Sequence, residues 1–272
     1  MIACGSLEYA QARLQARHGQ RASDATWQRL ETAREFNALL EIARASALRP
    51  WLAGITAPPD ARQIDTVMRG HWRQAVAEVV GWMPPAWQAG LAWCAVLPDL
   101  PLLQHLARGG EPRVWMQDDP AWRRLSAAPP AERLPALSAA GLADLADAWS
   151  APGSPGSAWQ AAWEAGWWRR LPQRPETCDA SLRRLATTLQ AHAAAFAAAP
   201  PGPGGLLRRA LQARLSLLLR QSTLEPAAAF IHLALTALDL ERLRGELLRR
   251  ALFTPARAQT RRQAVDPAPQ VA

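Results

Sequence analysis

The residues that could do chemistry are few and scattered. His18, His71, His105, His192 and His232 fall in five different helical segments, and none has a His, Cys, Asp or Glu three or four residues away. Metal sites on helices need that spacing, because it places two ligands on one face. Cys4, Cys94 and Cys178 are far apart and contain no CxxC pair, so zinc, redox exchange and a disulfide scaffold have no support. Asp118-Asp119-Pro120 reads as a helix-start cap, since short carboxylates before a proline satisfy the first amides of a helix. The glycines of Gly202-Pro203-Gly204-Gly205 lead into Leu206-Leu207, not into the Lys-Ser/Thr pair that a phosphate loop uses. GxSxG and HExxH patterns do not occur. His232 lies in the apolar run Pro226 to Leu238, where a packed, hydrogen-bonded histidine is expected. The expectation is a protein with no catalytic residues, no cofactor, no metal and no small-molecule substrate.

What the chain has in quantity is arginine. All 31 basic residues are Arg, against 23 acids, for a net charge of +8. Guanidinium groups stay charged and make forked bonds to carboxylates, so ion pairs and acidic partners are favoured. The excess is spread along the chain; from Gly205 to Phe253 eight Arg face four acids, a bias and not a nucleic-acid footprint. Thirteen Trp against one Tyr and four Phe mean that large rings set the packing. Trp72, Trp82, Trp87 and Trp93 are accompanied only by Arg69 and Arg73, a ratio that suits core packing better than base stacking. Trp159, Trp163 and Trp167 recur every four residues, first as a buried helix face and second as a docking face for a partner helix.

The elements that must position these side chains are helices. Ala and Leu dominate a chain that is 49% hydrophobic, while strand-favouring residues are sparse and no stretch alternates at period two. The spacing predicts helices over Leu7 to His18, from Ser23-Asp24 to Pro50, after the cap Pro58-Pro59-Asp60 through Ile64 to Met83, and from Trp87 to Leu97. A short helix to Arg108, an irregular stretch 109–135 and a helix from Ser138 to Trp149 follow. Ser157 caps the Trp-rich helix. Leu182 to Phe196, after Pro175, forms another. Leu206 to Leu219, and a helix opening with the capping box Ser222 to Pro226 and running to about Leu252, complete the set. The expected organisation is an all-α multi-helix bundle or funnel with Pro/Gly-rich turns: a helical region 1–149, a linker 150–157, a helical region 158–253 and a disordered tail 254–272. Pro226 to Leu238 is shorter than the roughly 20 residues a bilayer needs, and the first residues lack a basic segment followed by an apolar run. No signal peptide and a cytoplasmic location are therefore expected.

Stretches near the two ends of the chain carry a resemblance. Tyr9-Ala10-Gln11-Ala12-Arg13-Leu14-Gln15-Ala16-Arg17 is similar to the first-helix Tyr-x-x-Ala-Arg-x-x-Ala pattern of the C subunit of A-type ATP synthases, which is related to the d subunit of V-type ATPases. Trp27-Gln28-Arg29-Leu30, Leu39-Leu40 and Ala43 to Ser46 resemble that family's next helix, and Leu240-Glu241-Arg242-Leu243-Arg244 its late helix. The resemblance covers roughly a quarter of the chain, and the Trp-rich middle does not match it. It implies an all-helical funnel of three subdomains without catalytic residues, seated between the membrane rotor ring and the central stalk. The partners would be those protein subunits. Membrane association, at the cytoplasmic face of the inner membrane, would be peripheral and indirect. It further implies that Arg13, Arg17, Arg242 and Arg244, beside Tyr9 and Glu241, brace the funnel through ion pairs. A general scaffold or regulatory adaptor without an ATPase role, and an Arg-mediated nucleic-acid binder, remain open from the sequence.

Overall fold

The computed structural model describes residues 6–253 apart from 58–59, 114–115, 118, 120–121, 152, 154, 174–175, 201 and 203. Expectations placed on Cys4, Pro58, Pro59, Asp118, Pro120, Pro175, Pro203 and the 254–272 tail lie outside these residues. Among the described residues every regular element is helical and none is a strand. No described helix is long and apolar enough to cross a membrane.

The chain groups into two compact units that do not follow chain order: Met1–Gly19 with His71–Leu238, and Gln20–Gly70 with Asp239–Ala272. Residues before and after the 150–157 segment thus belong to both. The first unit contains α1 (Leu7–Gly19), the later part of α4 (Ala61–Trp82), α5 (Pro85–Trp93), α6 (Leu100–Ala107), α7 (Arg123–Ala127), α8 (Arg133–Ala139), α9 (Ala146–Ser150), α10 (Gly156–Arg170), α11 (Glu176–Ala198), α12 (Gly204–Gln221) and the opening turns of α13 (Ala227–Phe253). The second unit contains α2 (Asp24–Thr32), α3 (Phe36–Arg44), the start of α4 and the last turns of α13.

In the second unit the single helix expected from Ser23 to Pro50 is two. Ser23 caps α2 as expected, its hydroxyl accepting the Thr26 amide at 3.2 Å. At Ala33 the backbone turns extended (φ −61°, ψ 125°), and α3 starts afresh at Phe36. The break lets Trp27 and Leu30 of α2 and Phe36, Leu39, Leu40 and Ala43 of α3 all be buried, which one straight rod could not do. Asp60 opens α4, its carboxylate accepting the Arg62 amide at 2.9 Å.

In the first unit several expected boundaries shift. The helix after Trp87 ends at Trp93 and passes through a tighter 3-10 segment, Cys94–Asp99, because Pro98 has no amide to donate. The helix expected over 138–149 is instead α8, a turn at Gly141 (φ +77°), a short 3-10 segment and α9. A left-handed φ there is one that only glycine adopts without cost. The Trp-rich helix starts at Gly156 with Pro155 in the cap position, so Ser157 lies inside it and is not its cap. The stretch 109–135, expected to be irregular, holds α7, a 3-10 turn at Pro130–Glu132 and the start of α8. Nor does Ser222 to Pro226 open the last helix: α13 begins at Ala227, after a turn in which Leu224 has φ 60°. That unusual conformation is held by Gln11, whose side-chain oxygen accepts the Leu224 amide at 3.2 Å.

Candidate functional site

The tryptophans form the inside of the first unit. Trp72, Trp82, Trp87, Trp93, Trp159 and Trp167 are all buried, and Trp163 is half-buried. The Trp159/Trp163/Trp167 stripe is therefore chiefly an inward face of α10. Trp167 packs edge-on against Phe230 (5.2 Å, 79°), and Trp159 against Trp149 (6.2 Å, 66°). Where α5 meets α10, two indoles lock the helices reciprocally. Trp93 Nε1 donates to the Trp163 carbonyl at 2.9 Å, and Trp163 Nε1 donates to the Trp93 carbonyl at 3.2 Å. Such exchange needs backbones that nearly touch. Gly90 and Gly166 permit it: a Cβ at Gly90 would meet Leu171 Cδ2 at 2.6 Å, and one at Gly166 would meet Trp93 and Asp144 at 3.1 Å. Trp72 likewise donates to the Cys94 carbonyl at 3.0 Å.

The arginines are the second constituent, and those singled out by the sequence are engaged within their own units. On α1, Tyr9 is half-buried with its amide donating to Ser6 Oγ at 3.1 Å. Arg13 lies over the Trp82 ring at 5.2 Å, and Arg17 pairs with Glu78. In the second unit Arg242 donates twice to Glu31 (2.6 and 3.0 Å) while lying over the buried Trp27 ring at 4.5 Å. Arg244 donates to Asp65 at 2.7 Å and to Glu241 at 3.5 Å. Although burial works against its charge, these two carboxylates raise the Arg244 pKa above the ordinary guanidinium value.

Sequence reasoning missed the most deeply placed arginines. Arg250 is 2% exposed and donates to the carbonyls of Leu30, Glu31 and Ala33 at the C-terminus of α2, and to Glu246 of its own helix. Arg133, 5% exposed, reaches the carbonyl of Leu106 in the last turn of α6, that of Gly110 beyond it, and that of Ala128 past the end of α7. Helix C-termini expose carbonyls with no partner in the helix, and a five-donor planar fork can serve several at once. Arg21 grips the buried carboxylate of Asp239 through two bonds (2.6 and 2.8 Å). Arg73 bridges Asp99 (3.1 Å) and Asp119 (2.8 Å), so the Asp119 carboxylate is committed to α4, while its carbonyl receives the Trp122 and Arg123 amides at the start of α7.

Asp144 is a junction of two arginines. Arg169 and Arg170 both donate to it, and the Arg170 guanidinium also stacks over Trp93 at 3.8 Å. Burial pushes its pKa up, but the two guanidiniums outweigh this and hold the carboxyl below its ordinary range. A carboxyl depressed in the fold stabilises it above the unfolded pKa of about 4, and that contribution is lost as pH falls through the folded pKa. Asp144→Asn is therefore expected to be destabilising at pH 7, with the gap from wild type closing from about pH 5 downward; urea titrations at stepped pH check this.

Cys94 and His232 are both enclosed. Burial pushes the Cys94 thiol up to about 12, and its Sγ lies 3.7 Å from the Gly90 carbonyl. Since the thiolate is the reactive species, Cys94 is expected to resist iodoacetamide in the folded protein at pH 8 and to alkylate fully in urea, read by peptide mass spectrometry. His232 is buried with its ring 6.5 Å from that of Trp82. Among the described residues no group of three His, Cys, Asp or Glu is placed to hold a metal ion. Two grooves on the first unit are lined by few ionisable groups. One, between α7 and α8, is lined by Arg124 and Glu132 among Ala and Pro. Another, between α10 and α11, has Glu164, which already accepts from Gln190 (2.8 and 2.9 Å) and Trp168 (3.4 Å).

No protein-family model matches the chain, and no curated protein matches it.

Proposed function

We propose that this protein is a non-catalytic helical adaptor that works by holding other proteins. The observation that supports this reading is the use to which its charged groups are put. Arg13, Arg17, Arg242 and Arg244 each contact a ring or carboxylate of another helix in the same unit, so these groups stiffen helices instead of facing a cleft. A body braced internally by such contacts suits the transmission of force or position between partners. The narrower form of the proposal follows from the Tyr9-to-Arg17 and Leu240-to-Arg244 segments. On it, the partners are the rotor ring and central stalk of a rotary ATPase, and membrane contact is indirect, through those subunits. A scaffold for a different assembly is the broader form.

The test is affinity capture of the tagged full-length chain from its native extract, with and without membranes, at low and moderate salt. Reproducible recovery of a defined set of protein subunits supports the adaptor reading, and rotor or stalk subunits among them support the narrower form. Recovery of no protein above background counts against both.

A further inference from the structure

Helix α12 has two apolar faces, and only one is used. Leu211, Leu215, Leu218 and Leu219 are buried. On the opposite side Leu206, Ala210, Ala213 and Leu217 are exposed, Leu206 at 62% and Leu217 at 47%. Their spacing, i, i+4, i+7 and i+11, is that of a continuous helical seam, about 16 Å long at 1.5 Å per residue. Exposed arginines border it: Arg209 and Arg220 on one flank, Arg214 on the other. The surrounding sequence is one-signed. Residues 180–224 contain six Arg and no Asp or Glu, a concentration hidden when charge is averaged over longer windows.

We propose that this seam is a docking site for an amphipathic helix of a partner protein whose own apolar stripe is bordered by Asp or Glu. The proposal rests on the adaptor reading and names the chemistry of one partner. Three features select this occupant. Two alanines at the centre of the seam, between a leucine at each end, leave a shallow depression that a helix can approach closely and bridge with larger side chains. Arginines on both flanks, with no acid nearby in the sequence, make acidic flanks complementary and basic ones repulsive. That repulsion disfavours a second copy of this chain, which would bring Arg209, Arg214 and Arg220 against themselves. An anionic lipid surface shares the charge complementarity but calls for a broad face of bulky side chains, where this seam is narrow and alanine-centred.

The experiment places a photo-crosslinking amino acid at Ala213 in the full-length chain, expressed in its native cells, and sequences whatever peptide is joined to it. The expected product is one partner segment with apolar residues at helical spacing flanked by acids. The combined substitution Arg209→Glu, Arg214→Glu and Arg220→Glu should cut its yield at least about tenfold, while circular dichroism stays unchanged because these side chains are exposed. Any other product overturns the proposal: a lipid or nucleic-acid adduct, a crosslink to a second copy of this chain, a segment without that pattern, a yield indifferent to charge reversal, or no crosslink. The adaptor reading is judged separately. If affinity capture still recovers subunits with the charge-reversed chain, that reading stands and only this seam is excluded as the site.

Discussion

Replacing Arg250 with methionine is expected to destabilise the second unit by about 3–5 kcal/mol, the usual cost of removing one partner from a buried charged network. The side chain is almost fully enclosed and meets three carbonyls at the end of α2 together with Glu246. Methionine fills similar volume, so packing is roughly kept and the loss isolates the polar role. The Leu30, Glu31 and Ala33 carbonyls would then face an apolar side chain, and a buried acceptor without a partner costs about 1–3 kcal/mol. Arg250→Lys should recover only part of the loss, because an ammonium is a compact donor and cannot span three carbonyls as a planar fork does. Equilibrium urea unfolding measures both variants. A methionine variant within 1 kcal/mol of wild type would mean that α2 ends acceptably without its arginine.

The second large effect is expected at Trp93. Trp93→Ala should cost about 3–5 kcal/mol, as large-to-small changes of buried aromatics do. It removes a ring that is 5% exposed, the hydrogen bond to the Trp163 carbonyl and the face on which Arg170 stacks. Trp93→Phe separates these terms: it keeps much of the ring and loses the indole N–H, for about 1–2 kcal/mol. If phenylalanine proves as costly as alanine, the hydrogen bond dominates the α5–α10 contact; if it costs nothing, the reciprocal pairing is incidental to the packing. Fluorescence-detected unfolding is poorly suited to so many tryptophans, so far-ultraviolet circular dichroism should be the probe.

These two sites also mark how far the sequence could be read. That Trp72, Trp82, Trp87 and Trp93 face inward followed from how few arginines accompany them, and all four are buried. The all-α class followed equally well, because Ala and Leu leave strands little to build with. The pairing of Trp93 with Trp163 was not legible. It depends on two helices distant in sequence crossing where Gly90 and Gly166 allow contact, and neither glycine is marked by local pattern. Arg250 was hidden for a related reason. In sequence it is the second of two arginines near a helix end, and only the break at Ala33 creates the carbonyls it serves. That break was itself missed, since Trp27 to Ala47 keep helical periodicity through residues 33–35. Periodicity reports which residues want the core; it does not report where a chain bends to take them there.

Arg209, Arg214 and Arg220 present the opposite case. Each looks like Arg250 in composition and helical setting, yet they lie on the solvent side of α12. Two groups of one residue type thus divide the labour on this account: the enclosed Arg133 and Arg250 hold helices together, and Arg209, Arg214 and Arg220 on α12 are left for a partner.

The most direct test of that division is the urea midpoint of single variants from each population, measured on the full-length chain. Arg133→Met and Arg250→Met are predicted to lower the midpoint by about 1 M or more, and Arg209→Gln, Arg214→Gln and Arg220→Gln to leave it within about 0.2 M. Midpoints that hold for the enclosed pair, or that fall for the exposed three, would contradict the account.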